Sequence, residues 1–171
     1  MDLIPRLLRG DLGRRHWETP VSDPAPNDPD YEARVRASFA SQGLMATLGA
    51  SLVRVSPGLV EISLPASRAV SQQHGFVHAG ALASIADTAA GYAALTLMPP
   101  GAGVLTAEFK INLMAPAIGE RMTARGRVIK AGRTLTLAQA DVFAVHEGRE
   151  KQIALLTATL MAVEGRDGVS D

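Results

Sequence analysis

Apolar residues recur along this chain with two different periods, and the places where the period changes outline the elements. Tyr31, Val35 and Phe39 are spaced by four, which predicts a helix with Asp30 as its N-cap and Gly43 as the stop beyond its end. Further on, Val60, Ile62 and Leu64 alternate with Glu61 and Ser63. Residues 51–55 and 59–64 therefore predict two strands joined at Ser56-Pro57-Gly58, a hairpin with one buried face. The stretch 79–98 is rich in Ala and Leu, apolar nearly all round and stopped by Pro99-Pro100-Gly101, which predicts a long buried helix. Strand patterns then follow over residues 104–114, 121–130, 134–145 and 152–163, with connections short enough for antiparallel neighbours.

A helix, two strands, a central helix and four strands fit one α+β unit, an antiparallel sheet wrapped around one long central helix. Such a sheet leaves strand edges and an outer face able to pair with another copy, so a homodimer or a dimer of dimers is expected. The domain is expected over residues 31–165, with a C-terminal tail at 166–171. Residues 1–30 stand apart, because Leu3, Ile4, Leu7 and Leu8 interleave with Arg6 and Arg9 before Pro20, Pro24, Pro26 and Pro29. That pattern predicts an amphipathic turn and a proline-stiffened linker, acting as a flexible arm or as a segment docked on a partner subunit.

Composition narrows the chemistry. Seventeen basic and seventeen acidic residues cancel, so neither nucleic acid nor a membrane surface is an expected partner, and any charged ligand has to be held locally. Cysteine is absent, which removes disulfides, thiol nucleophiles and thiolate metal sites. The first residues lack the apolar core and cleavage site of a secretion signal, and the most apolar stretch contains an aspartate. A cytoplasmic protein without a membrane span is therefore expected.

That aspartate, Asp87, lies eight residues into the central helix, too deep to be an N-cap. A carboxylate among apolar neighbours has to shift its pKa, find donors or face a cleft. It is either a satisfied structural residue or the centre of a site. The segment before the helix favours a site, since Gln72, Gln73, His74, Gly75, His78 and Gly80 gather two amides, two imidazoles and two glycines. The first N–H groups of the helix, on Ala79, Gly80 and Ala81, have no intrahelical acceptor and can polarise a carbonyl oxygen. His74 and His78 read most simply as loop and capping residues. A metal site is not expected, because Asp87 is the only evident third ligand for the two imidazoles. On strand 104–114, Leu105, Ala107, Phe109, Ile111 and Leu113 form one face and Thr106, Glu108, Lys110 and Asn112 the other. If the apolar face covers the chain's own helix, Thr106 points away, toward a neighbouring subunit.

At these residues the sequence resembles the PaaI-type branch of hotdog-fold acyl-CoA thioesterases, from about residue 43 to residue 163. The resemblance is carried by His78-Ala79-Gly80-Ala81 followed by Ile85-Ala86-Asp87-Thr88-Ala89, by Glu108-Phe109-Lys110-Ile111-Asn112-Leu113-Met114-Ala115-Pro116, and by Gly132-Arg133-Thr134. It implies a hotdog fold with no cofactor and an active site at a subunit interface. Asp87 would be the base or nucleophile, Gly80 or Ala79 the oxyanion donor, and Thr106 an orienting hydroxyl from the partner chain. Gln72 stands where the family often has asparagine, and Ala79 where it has the first glycine of its turn. His74, His78 and Thr88 would touch substrate, and Lys110, Arg127, Lys130 and Arg133 are candidates for the CoA phosphates. The expected reaction is hydrolysis of a medium-chain or aromatic acyl-CoA to free acid and CoA. Two other readings stay open: a non-catalytic acyl-CoA-binding module, and an enoyl-thioester hydratase or dehydratase using His74 with Asp87.

Overall fold

The computed structural model describes residues 25–166 together with 168 and 169. The amphipathic turn expected among the first residues, with Pro20 and Pro24, lies outside the described residues. The chain runs through α1 (Tyr31–Ser41), α2 (Gly43–Leu48), β1 (Ser51–Ser56), β2 (Leu59–Pro65), a 3-10 turn (Arg68–Val70), α3 (Ala79–Leu95), β3 (Gly103–Leu113), β4 (Arg121–Lys130), β5 (Leu135–His146) and β6 (Arg149–Val163). The six strands form one sheet in the order β1-β2-β4-β5-β6-β3 with every pairing antiparallel. The sheet wraps α3, which is the hotdog arrangement.

Alternation decides which strand face meets the helix. Ile62 and Leu64 of β2, Met122 and Ala124 of β4, Ala138 and Ala140 of β5, and Leu156, Ala158 and Leu160 of β6 are all buried in one cluster with Ile85, Ala86, Ala89 and Ala93 of α3. Small helix residues allow close approach, and Gly126 marks the tightest point. A Cβ on Gly126 would stand 2.2 Å from the Ala89 carbonyl oxygen, so only glycine lets β4 touch the helix backbone two residues beyond Asp87.

The helix is not buried all round, although its composition predicts that it is. Gly80, Ala83, Ser84, Asp87 and Thr88 are not fully buried; their spacing of i, i+3, i+4, i+7 and i+8 makes them one stripe along α3 that the chain's own sheet leaves uncovered.

At the far end, Arg34 closes α3. Its guanidinium donates to the carbonyl oxygens of Leu95, Met98 and Pro99 at 2.8, 3.2 and 2.8 Å and pairs with buried Asp28 at 3.0 Å, satisfying carbonyls a helix end leaves open. Asn27 adds a bond to Leu97 O at 2.6 Å. These contacts tie residues 27 and 28 to the body, ahead of the boundary expected at residue 31. Asp30 holds the N-cap position but its side chain makes no capping bond; instead Asp28 Oδ1 accepts from Asp30 N–H. Gly43 does not end the structure either. It begins α2, and the stop is Gln42, whose backbone turns extended, while Gly49 caps α2 with φ of 70°.

The strict alternation expected of β3 also fails, with a consequence for the site. Thr106 pairs with Leu160 and Glu108 with Thr159, so Ala107 is an extra residue, a β-bulge. A one-residue insertion reverses the faces on either side of it. Phe109, Ile111 and Leu113 therefore keep the helix side, and before the bulge that side belongs to Thr106 rather than Leu105. Glu108 takes the outer face, where Thr159 Oγ1 donates to it at 2.7 Å.

Candidate active site

Because of the bulge, Thr106 points toward its own chain's helix rather than away from it; its Oγ1 donates to Oδ1 of Asp87 in the same chain at 2.9 Å. Asp87 is partly buried on the uncovered stripe. Loss of water around it pushes its carboxyl above the ordinary aspartate range, and the Thr106 hydrogen bond draws part of that shift back. A carboxylate held this way is a better proton acceptor than a free aspartate. Beside it lies a cavity of about 310 Å³ whose lining includes Gln42, Leu44, Thr88, Gly91, Tyr92 and Val104. The Tyr92 ring is held in that wall: its hydroxyl accepts from Gln42 Nε2 at 2.7 Å and shares a hydrogen bond with Ser38 Oγ at 3.0 Å.

The start of α3 is a different environment. His78 is the N-cap, and its Nδ1 accepts from Gly80 N–H at 2.8 Å. The Gly80 amide expected as an oxyanion donor is therefore already occupied. Glycine at 80 serves the cap instead, since a Cβ there would come within 3.1 Å of Nδ1. Ala81 and Leu82 donate to His78 O, which leaves the Ala79 N–H without an acceptor among the described residues. A cavity of about 300 Å³ opens here, lined among others by Gln72, His78, Ala79, Leu82 and Leu113. Gln72 does not aim a carbonyl into it: Oε1 accepts from His74 N–H, and the Gln72 backbone pairs with Phe76 and Gly75, so this residue braces its own loop.

Base and donor are thus on one stripe but not at one point. Eight residues of helix advance about 12 Å along the axis, and the two groups line separate cavities. A single carbonyl cannot touch both within one chain.

Comparison with known proteins identifies the scaffold. A thioesterase superfamily model matches residues 74–151. A thioesterase family protein of Silicibacter pomeroyi, solved as a crystal structure, is 52% identical, with a TM-score of 0.77 over 79% of this chain and 99% of that one. The chain belongs to the thioesterase superfamily. The E. coli PaaI protein shares its fold at 20% identity, with a TM-score of 0.71 over 80% of this chain and 95% of its own. The thioesterase HI1161 of Haemophilus influenzae does so at 21% and 0.68, over 77% and 90%.

In this superfamily member the other expected site residues are scattered. Thr88 lines the Asp87 cavity. His74 lines a third cavity of about 510 Å³ with Arg68, Ser71 and Ile118, away from Asp87, so the two do not form an acid and base pair within the chain. Arg133 lines a fourth cavity, near Leu97 and Pro99 at the other end of α3, and Lys110 is exposed on β3. Among the described residues no three His, Asp or Glu side chains gather as metal ligands, and no helix is long and apolar enough to cross a membrane. Gln42, Gly91 and Tyr92 were not evident as site residues. Gly91 and Tyr92 had a signal in their spacing of four and five from Asp87; Gln42, forty-five positions earlier, had none.

Proposed function

We propose that the chain hydrolyses acyl-CoA thioesters carrying medium-chain or aromatic acyl groups, in a site that two copies complete together. The observation that carries this reading is Asp87, a partly buried carboxylate with heightened proton affinity, hydrogen-bonded by Thr106 beside a cavity with Leu44, Val104 and Leu105 in its wall. An acyl thioester needs a base, a donor for the developing oxyanion and a dry acyl pocket. Asp87 offers the first and the Ala79 N–H the second, but about 12 Å of helix separates them.

β3 supplies the way to join them. Among the described residues it is an edge strand paired only with β6, and Phe109 and Leu113 on it, with Met114 just beyond its end, are 44, 54 and 52% exposed. A long apolar edge with unpaired backbone groups invites a second strand. Thr106, beside Asp87, and Leu113, beside the Ala79 cavity, lie about 23 Å apart by strand rise. Antiparallel pairing of two β3 strands about a two-fold near Phe109 and Lys110 brings the Thr106 end of one chain to the Leu113 end of the other. The Asp87 carboxylate then faces the partner's helix start, twice per dimer.

In that site the partner's Ala79 N–H takes the thioester oxygen. Asp87 draws a proton from water as the water oxygen attacks the carbonyl carbon, or attacks it directly. The tetrahedral oxyanion collapses, the carbon–sulfur bond breaks, and the CoA thiolate takes the proton that Asp87 drew from water, releasing the acid. After direct attack the collapse instead leaves an Asp87–acyl anhydride, which water hydrolyses to the acid and the Asp87 carboxyl, whose proton passes to the thiolate. Lys110, exposed on β3, is the candidate cation for the CoA phosphates; Arg133, at the other end of α3, would serve only if the nucleotide end of CoA reaches that far.

The test is CoA release from a panel of acyl-CoA esters by the wild type and by Asp87→Asn. Removing a general base lowers kcat on the order of 10² to 10⁴-fold, with the oligomer intact. An unchanged rate in Asp87→Asn contradicts the mechanism, and ester binding without turnover by the wild type contradicts the reaction.

A further inference from the structure

Gly91 lacks a side chain at a place that has room for one. It lies one turn beyond Asp87 on the same side of α3 and lines the same cavity, with Leu44, Tyr92 and Val104. It is buried, yet a Cβ there meets nothing within 4 Å, whereas at Gly126 a Cβ would strike backbone at 2.2 Å. Its φ is not positive, so no turn requires glycine. Alanine is the better helix former. Neither conformation nor crowding within the chain accounts for glycine at 91, and a Cβ there would stand in the open volume beside Asp87.

We infer that Gly91 sets the length of acyl group the site accepts, its missing Cβ keeping the cavity open one helical turn past the carboxylate. The inference rests on Asp87 acting at a thioester carbonyl. Four residues of helix advance about 6 Å, so an acyl group with its carbonyl at Asp87 meets Gly91 only if it carries a medium-length chain or an aromatic ring. An acetyl group falls short. Leu44, Val104 and Leu105 give the wall aliphatic surface and the Tyr92 ring is fixed through Gln42 and Ser38, while the hydroxyls of Thr88 and Thr106 belong to the Asp87 end of the cavity. Two of these residues, Gln42 and Leu44, precede the segment that matches the superfamily model, so length selection would belong to this chain's own N-terminal helices as well as to the shared fold.

Gly91→Ala tests this with kcat/KM for acetyl-CoA, hexanoyl-CoA and phenylacetyl-CoA. One methyl in an apolar pocket discriminates by roughly 10 to 200-fold, so the hexanoyl-to-acetyl and phenylacetyl-to-acetyl ratios should each fall at least about tenfold, while the melting temperature holds or rises. Leu44→Trp, made at a residue 55% exposed on the α2 wall, should lower the same ratios without altering the helix. Unchanged ratios in both variants, or an equal loss on all three esters, overturn the inference while leaving the hydrolase reading standing. A wild type that releases CoA from no ester removes both.

Discussion

The beginning of α3 and its middle face the same uncovered stripe, yet they are chemical opposites. At the beginning, His78 caps the helix and consumes the Gly80 amide, leaving Ala79 N–H as a donor in a cavity that no carboxylate lines. In the middle, Asp87 is a base held by Thr106, with no free backbone donor beside it because helix interior amides are satisfied. Each half lacks what the other has. On the proposed reading the helix is two half-sites, and the edge strand β3 is the element that would bring one half to the other in a second copy.

The sharpest way to break that division is to remove one half at a time. Asp87→Asn should cost the most, on the order of a thousandfold in kcat, without loss of fold. The raised pKa of Asp87 fixes the sign of its stability effect. A carboxyl that binds its proton more tightly folded than unfolded loses stability as pH rises from the ordinary aspartate range through the folded value. Above the ordinary aspartate range the carboxyl is therefore a burden on folding, and Asp87→Asn should melt no lower than the wild type at neutral pH. A lower melting temperature would mean that the carboxylate is structural.

Ala79→Pro addresses the other half. Proline removes the N–H but is tolerated at the first helical residue, and His78, at φ −66° and ψ 140°, already has the extended backbone a following proline requires. Loss of one oxyanion donor should lower kcat roughly 10² to 10³-fold, with circular dichroism unchanged. Retained activity would move the donor elsewhere.

The smallest effect is expected at Thr106, which supports the base without reacting. Thr106→Val deletes the hydrogen bond that lowers the Asp87 pKa, so the acid limb of the kcat/KM profile should move to higher pH, with about a tenfold or smaller loss on the alkaline plateau. An acid limb that stays in place would detach Thr106 from the titration of Asp87.

Much of this architecture was legible in the residues. Alternation at Val60, Ile62 and Leu64 and the punctuation at Pro99-Pro100-Gly101 marked β2 and the end of α3 within a few positions. Asp87 stood out because charge is rare in such an apolar helix. The bulge was not legible. Leu105, Ala107, Phe109, Ile111 and Leu113 alternate without a break, and Ala107 carries no glycine-like mark of an inserted residue, so Thr106 read as outward when it is inward. Gly80 was misjudged for a related reason: whether its amide is free depends on the rotamer of His78, which spacing does not encode. The distance between Ala79 and Asp87 was available all along from eight residues of helical rise. Arg34, which closes the helix, was hidden because its partners are carbonyls about sixty residues away in sequence.

The measurement that bears most directly on shared half-sites is complementation. Asp87→Asn and Ala79→Pro chains are each inactive alone but, co-expressed, form mixed dimers in which one of the two sites combines an intact Asp87 with the other chain's intact Ala79. Half of randomly assorted dimers are mixed and each holds one good site, so CoA release should recover to about a quarter of the wild-type rate per chain. Recovery to no more than the average of the two single variants, from a preparation shown to contain mixed dimers, would mean that base and donor work within one chain or not at all.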